Sequence, residues 1–169
     1  ETYIIKSTPL LMKTADRLGL ISWCSRNSMF HKVSYYKDAP MRLKVFNQQV
    51  DSVMLALSME ETPLDNNNFN YKLTSINGHK IKGEKKKAVF NQIVNVNEYV
   101  GFSIDKQESF GNKDINITFN MGYTPAYLIA RSMKGRLNVS RVDKQASILS
   151  ISYTDANSIR TQEVIDTLI

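Results

Sequence analysis

Hydrophobic and polar positions along this 169-residue chain follow two different rhythms. Near both ends, apolar residues recur at three- and four-residue spacing. Leu10, Leu11, Ala15 and Leu18 form one such stripe, which predicts a helix with a single buried face. Ser7 stands where an N-cap belongs, and Pro9 falls in the first turn, where its missing N–H costs nothing. Gly19 is placed to end that helix in the left-handed conformation. Tyr127, Ile129, Ala130 and Met133 predict a second helix, opened by Thr124-Pro125 and ended by Gly135. Ile159, Val164, Ile165, Leu168 and Ile169 form the stripe of a third. Thr154, Asp155 and Asn157 precede it, with short side-chain oxygens suited to the free N–H groups of a first turn.

Between these stripes the period shortens to two. Met41 to Phe46 alternates as a half-buried strand does. Val33 to Tyr36 suggests another short strand. Apolar-rich runs then recur at Val53 to Met59, Phe69 to Ile76, Ala88 to Val96, Tyr99 to Ile104 and Ile115 to Met121, separated by polar turns. The pair Asn77-Gly78 predicts a tight hairpin, because both residues tolerate positive φ. Such spacing suits an antiparallel sandwich or barrel. Close to the C-terminus, residues 136–142 and Ser147 to Tyr153 are predicted as strands that pair across the intervening turn.

These rhythms predict an α+β protein. Residues 1–46 and 124–169 are expected to form one unit, a small sheet with helices built from both chain ends. Residues 47–123 are expected to be an inserted antiparallel β-sandwich or barrel-like segment.

Charge sharpens this division. The formal net charge is +6. Residues 1–45 carry +5, residues 46–124 carry −1 and residues 125–169 carry +2. A basic surface attracts anionic polymers or lipid head groups, although scattered charge is also what any solvated face carries. Lys85-Lys86-Lys87 lies in the neutral middle, offset by nearby acids, and reads as a solvated turn. Mean hydropathy is −0.32, and no apolar run approaches the roughly 18 residues of a membrane-crossing helix. The chain begins at Glu1 and stops while its last helix is still apolar, so a longer parent is expected.

Catalytic chemistry finds little support. His31 and His79 are far apart in sequence, and no His, Cys and carboxylate cluster has metal-ligand spacing. Nucleotide-binding glycine loops and nucleophile-elbow motifs are missing. Cys24 is the single cysteine, so no internal disulfide forms, and beside Trp23 it reads as a small, half-buried apolar residue. Glu60-Glu61 would be a carboxylate pair, but neighbours on a strand diverge to opposite faces. We expect no catalytic residue, no cofactor and no metal in this chain.

The order of motifs at the two ends supports a resemblance. Arg136-Leu137-Asn138-Val139, Asp143-Lys144, Ser147 through Ile151 to Tyr153, Asp155 with Asn157, and Val164 to Ile169 follow one another. Tyr3-Ile4-Ile5-Lys6-Ser7 opens the chain. Together they resemble the periplasmic chain-length-determinant domain of polysaccharide co-polymerases (Wzz/Wzc-like). The resemblance covers about the first 45 and last 45 residues. Asp143 stands where the family usually has Gly, and Ser158 where it usually has Pro. The family-like structural positions are Leu137, Val139, Lys144, Ser147, Ile151, Tyr153 and Asp155.

The resemblance implies a non-catalytic domain on the periplasmic side of the bacterial inner membrane, held there by flanking membrane helices. It implies a homo-oligomer that controls the chain length or export of a capsule, exopolysaccharide or O-antigen, working with polysaccharide or export machinery and without nucleic acid. Some relatives of that kind carry a cytoplasmic tyrosine autokinase, which would lie outside these residues. The alternative from residue patterns alone is a stand-alone β-rich module that binds carbohydrate or nucleic acid. Hydrophobic segments flanking this sequence in its parent reading frame would favour the first reading.

Overall fold

A computed structural model describes residues 2–28, 31–47, 56–142 and 148–169. The fold is α+β, with every strand pair antiparallel. Contacts divide the chain into residues 1–21 with 125–169, and residues 22–124.

Residues 22–124 form a β unit. In chain order its strands are β1 (Ser22–Asn27), β2 (Lys32–Tyr35), β3 (Met41–Asn47), β4 (Leu57–Pro63) and β5 (Asn68–Ile76). They continue with β6 (His79–Lys80), β7 (Lys86–Val89), β8 (Val94–Asn95), β9 (Val100–Lys106) and β10 (Phe119–Tyr123). One sheet has the order β2-β1-β10-β4-β5-β6, with β7 also on β5; the other is β3-β9-β8. Inward residues of both sheets share a core that includes Cys24, Leu43, Met59, Phe69, Phe102, Ile104, Phe119 and Met121. Alternation explains which residues enter it. On β3, Met41 and Leu43 are buried while Arg42 and Lys44 are exposed. Asn77 and Gly78, at φ +50° and +80°, turn β5 into β6 as their pairing predicts. Trp23 faces Gly122 across the β1–β10 pair, and its ring occupies the space a Cβ at that glycine would need.

Residues 1–21 and 125–169 form the second unit. It contains α1 (Thr2–Ile5), α2 (Thr8–Arg17), α3 (Ala126–Arg136), β11 (Leu137–Arg141), β12 (Leu149–Tyr153) and α4 (Ser158–Leu168). Leu11 and Ala15 of α2, Ala130 and Met133 of α3, and Val164 and Leu168 of α4 share one core with the β11–β12 hairpin. Residues from both chain ends therefore bury the same apolar surface.

The structure departs from the sequence pattern in specific ways. The sequence boundary at 46/47 falls inside the β unit, because β1 pairs with β10 and β3 with β9. Pairing partners more than 50 residues away decide that membership, and local alternation carries no trace of them. The charge division moves with it. The terminal unit has 9 Lys/Arg against 6 Asp/Glu and the β unit 13 against 10, so each carries +3. The run 88–96 is two short strands, β7 and β8, interrupted by Asn91 at φ +61°. The run 115–121 becomes strand only at Phe119, after a single 3-10 turn at Asn112–Asp114 and a positive φ at Asn116. Gly135 stays inside α3, which runs to Arg136 and passes directly into β11. Ser7 makes no side-chain cap; its backbone carbonyl accepts from the Leu11 N–H instead.

Candidate functional site

The described residues of the predicted structural motif converge on the β11–β12 hairpin and the start of α4. Leu137 lies opposite Tyr153, and Val139 opposite Ile151. Side chains opposite one another share a face. Leu137, Val139 and Tyr153 are buried and Ile151 is partly buried in the terminal unit's core. The intervening Asn138, Ser140, Ser150 and Ser152 are exposed, as period-two alternation requires. Lys144 and Ser147, the remaining motif positions, lie outside the described residues.

Asp155 forms the polar centre of this arrangement. Its carboxylate is almost wholly buried and lies 2.8 Å from Arg136 Nη1. Arg160 Nη2 donates to its other oxygen. That same oxygen accepts the Asn157 backbone N–H at 3.0 Å. Asn157 then caps α4 by accepting the Arg160 backbone N–H through Oδ1 at 3.0 Å. Burial alone would raise the Asp155 pKa. The hydrogen bonds from Arg160 and Asn157 and the charges of both guanidinium groups outweigh it, and the carboxyl sits below its usual range. Arg136 also lies over the Tyr153 ring, 5.5 Å from its centroid. The cluster ties the end of α3, the end of β12 and the first turn of α4 together. Both carboxylate oxygens of Asp155 are engaged by the protein, so the arrangement holds structure in place.

The outer surface of this unit exposes several large apolar side chains. Val142 and Ile148 flank the hairpin end, joined by the Val142 N–H to Ile148 carbonyl bond. Tyr127 is exposed in the first turn of α3. Ile159, expected from its spacing to face the core, is 63% exposed. Lying five and nine residues before Val164 and Leu168, it falls on the opposite side of the helix from the face they bury.

Among the described residues no group of His, Cys, Asp and Glu is arranged to hold a metal ion. Glu60 and Glu61 point to opposite faces of β4, one exposed and one in the core. Cys24 is fully buried, deeper than its sequence context suggests; desolvation and the nearby charges of Glu61, Asp114 and Asp38 push its thiol up to about 12. A thiol so protonated is a poor nucleophile. Sequence reasoning passed over Arg136 and Arg160 as the partners of Asp155: Arg136 lies 19 residues away, and Arg160, five residues on, does not stand at a helical three- or four-residue spacing. It also passed over the interior position of Glu61.

No family model matches the chain, and no curated protein matches it significantly.

Proposed function

We propose that this chain is a non-catalytic domain of a membrane-anchored polysaccharide co-polymerase, acting on the periplasmic side of the inner membrane as a homo-oligomer. One observation carries the reading. The described residues whose order resembles the chain-length-determinant pattern pack as one unit with the helix from the first 21 residues. Leu137, Val139 and Tyr153 belong to the core of that unit, and Asp155 is its polar clasp. Val142, Ile148 and Ile159 supply exposed apolar surface for contact between copies. Such a contact closes into a ring when each copy uses two different surfaces. No described helix is long and apolar enough to cross a membrane, so the anchors in this proposal belong to flanking segments.

Deleting the parent gene tests the reading. The length distribution of the cell's surface polysaccharide is expected to change and to recover on re-expression of the wild-type protein. A Val142→Asp, Ile159→Asp double variant is expected to express and fold without restoring it. An unchanged distribution after deletion would refute the proposal.

A further inference from the structure

We infer that the β unit carries a binding site for one pyranose ring of a neutral saccharide, in the depression above Gly101 on the outer face of the β3-β9-β8 sheet. The inference rests on the co-polymerase reading for its biological setting and on the surface of this unit for its chemistry.

Three cross-strand partners build the site. Phe46 of β3 and Asn95 of β8 both lie opposite Gly101 of β9. Cross-strand partners share a face, so the two side chains flank a position that has none. A Cβ on Gly101 would come within 3.0 Å of the Ile93 side chain and 3.2 Å of Asn95 Oδ1, so glycine keeps the saddle open between them. The result is a cavity of about 290 Å³ lined by Phe46, Ile93, Asn95, Glu98, Tyr99 and Gly101, close to the lower limit for small-molecule sites, about 300 Å³.

The lining is held in place before any ligand arrives. Asn97 Oδ1 accepts the backbone N–H groups of Tyr99 and Val100 at 2.9 and 2.8 Å. The Val96 and Asn97 N–H groups both donate to the Val100 carbonyl. This knotted turn presents Glu98 and Tyr99 at the rim, which lowers the ordering cost of binding.

The chemistry of the lining selects the ligand. Phe46 and Tyr99 are 40% and 49% exposed, so both rings are open to a ligand. A pyranose has one apolar face of C–H groups, which packs on such rings, and an edge of hydroxyls. Asn95 both donates and accepts, and the Glu98 carboxylate accepts from two hydroxyls at once. Among the described residues that line the cavity, Glu98 is the only charged one. Lys44, on the same face as Phe46, is ion-paired with Asp105. The local charge therefore repels uronates and phosphates, although the chain as a whole carries +6.

Backbone amide NMR of the complete chain tests this with maltopentaose, cellopentaose, mannopentaose and an oligogalacturonate of equal length. At least one neutral sugar is expected to shift the Asn95, Glu98, Tyr99 and Gly101 amides in a saturable way, and the oligogalacturonate is expected not to. Phe46→Ala and Tyr99→Ala each should weaken binding by roughly tenfold or more, as loss of an anchor ring does. Both rings are exposed, and an unchanged amide spectrum elsewhere verifies the fold. Glu98→Gln should admit the acidic oligosaccharide. The inference fails if no neutral sugar shifts these amides, if the alanine variants bind as well as wild type, or if the acidic sugar binds equally to wild type. The gene-deletion experiment reads polysaccharide length without using this site, so failure of the site and failure of the co-polymerase reading separate.

Discussion

Glu61 is a costly side chain for the β unit to bury. It is 0% exposed, and neither carboxylate oxygen has a hydrogen-bond partner among the described residues. Desolvation pushes its pKa from 4.5 up to about 9, so the folded protein holds it as a neutral acid near pH 7. A raised folded pKa means that the folded state binds the extra proton. The stability this contributes is complete below pH 4.5 and is lost as pH rises through about 9. Thermal melts of the β unit, read by the fluorescence of the single tryptophan, Trp23, are expected to fall over that range. Glu61→Gln should flatten the dependence, and Glu61→Leu should stabilise the unit at pH 8 by about 1–3 kcal/mol, the cost of an unsatisfied buried polar group. Equal pH slopes for wild type and Glu61→Gln would refute the assignment. Gly122 acts through the opposite physics, a lack of atoms. Gly122→Ala puts a methyl group into the Trp23 ring and is expected to destabilise the β unit by about 1–3 kcal/mol; an unchanged denaturation midpoint would show that the ring moves aside freely.

At the scale of the element, α4 depends on its first turn. Asn157 caps it, and Asp155 holds both the cap and Arg160. Asp155→Ala removes that clasp and leaves Arg136 and Arg160 without their shared carboxylate. We expect a loss of about 1–3 kcal/mol, within the range for hydrogen bonds to charged groups, with fraying of α4 visible as faster amide exchange from Arg160 to Glu163. Exchange as slow as in wild type would mean that the core contacts of Val164 and Leu168 hold the helix unaided. The hairpin beside it fails by a different route. Ile151 pairs with Val139 and is partly buried, so Ile151→Asp sets a charge against an apolar core and should melt the terminal unit while the β unit stays folded. Helix ellipticity reports the first and Trp23 the second, because α1 to α4 all belong to the terminal unit.

At the scale of the whole molecule, the two cores share no residue among those described, and their key carboxyl groups are shifted in opposite directions. Asp155 has a lowered folded pKa, so its contribution is present above the unfolded value of 3.8 and is lost as pH falls through the folded one. Glu61 has a raised pKa and loses its contribution as pH rises. Acid should therefore weaken the helical unit first, and alkali the β unit first. Melts followed simultaneously by ellipticity at the helix band and by Trp23 fluorescence check this, and coincident transitions at both pH extremes would contradict it.

Much of this was legible in the sequence, and the limits have a physical cause. Periodicity is set by neighbours on one strand or helix. It therefore marked α2, α3, α4, β3 and β5, the alternation of Leu137, Val139, Ile151 and Tyr153, and the Asn77-Gly78 turn. The α+β class follows from those elements, as does the burial of Leu11, Ala15 and Val164. What periodicity cannot carry is partnership across distance. Only the tertiary structure joined β1 to β10 and β3 to β9, and so moved residues 22–46 into the β unit. It alone set Arg136 and Arg160 on Asp155, enclosed Glu61 and buried Cys24. The saddle at Gly101 is likewise a product of register, because Phe46 and Asn95 meet there from strands about 50 residues apart. Local sequence encodes which face of an element is apolar; the choice of facing surface is made by the packing of the whole chain, where burial and charge are finally balanced.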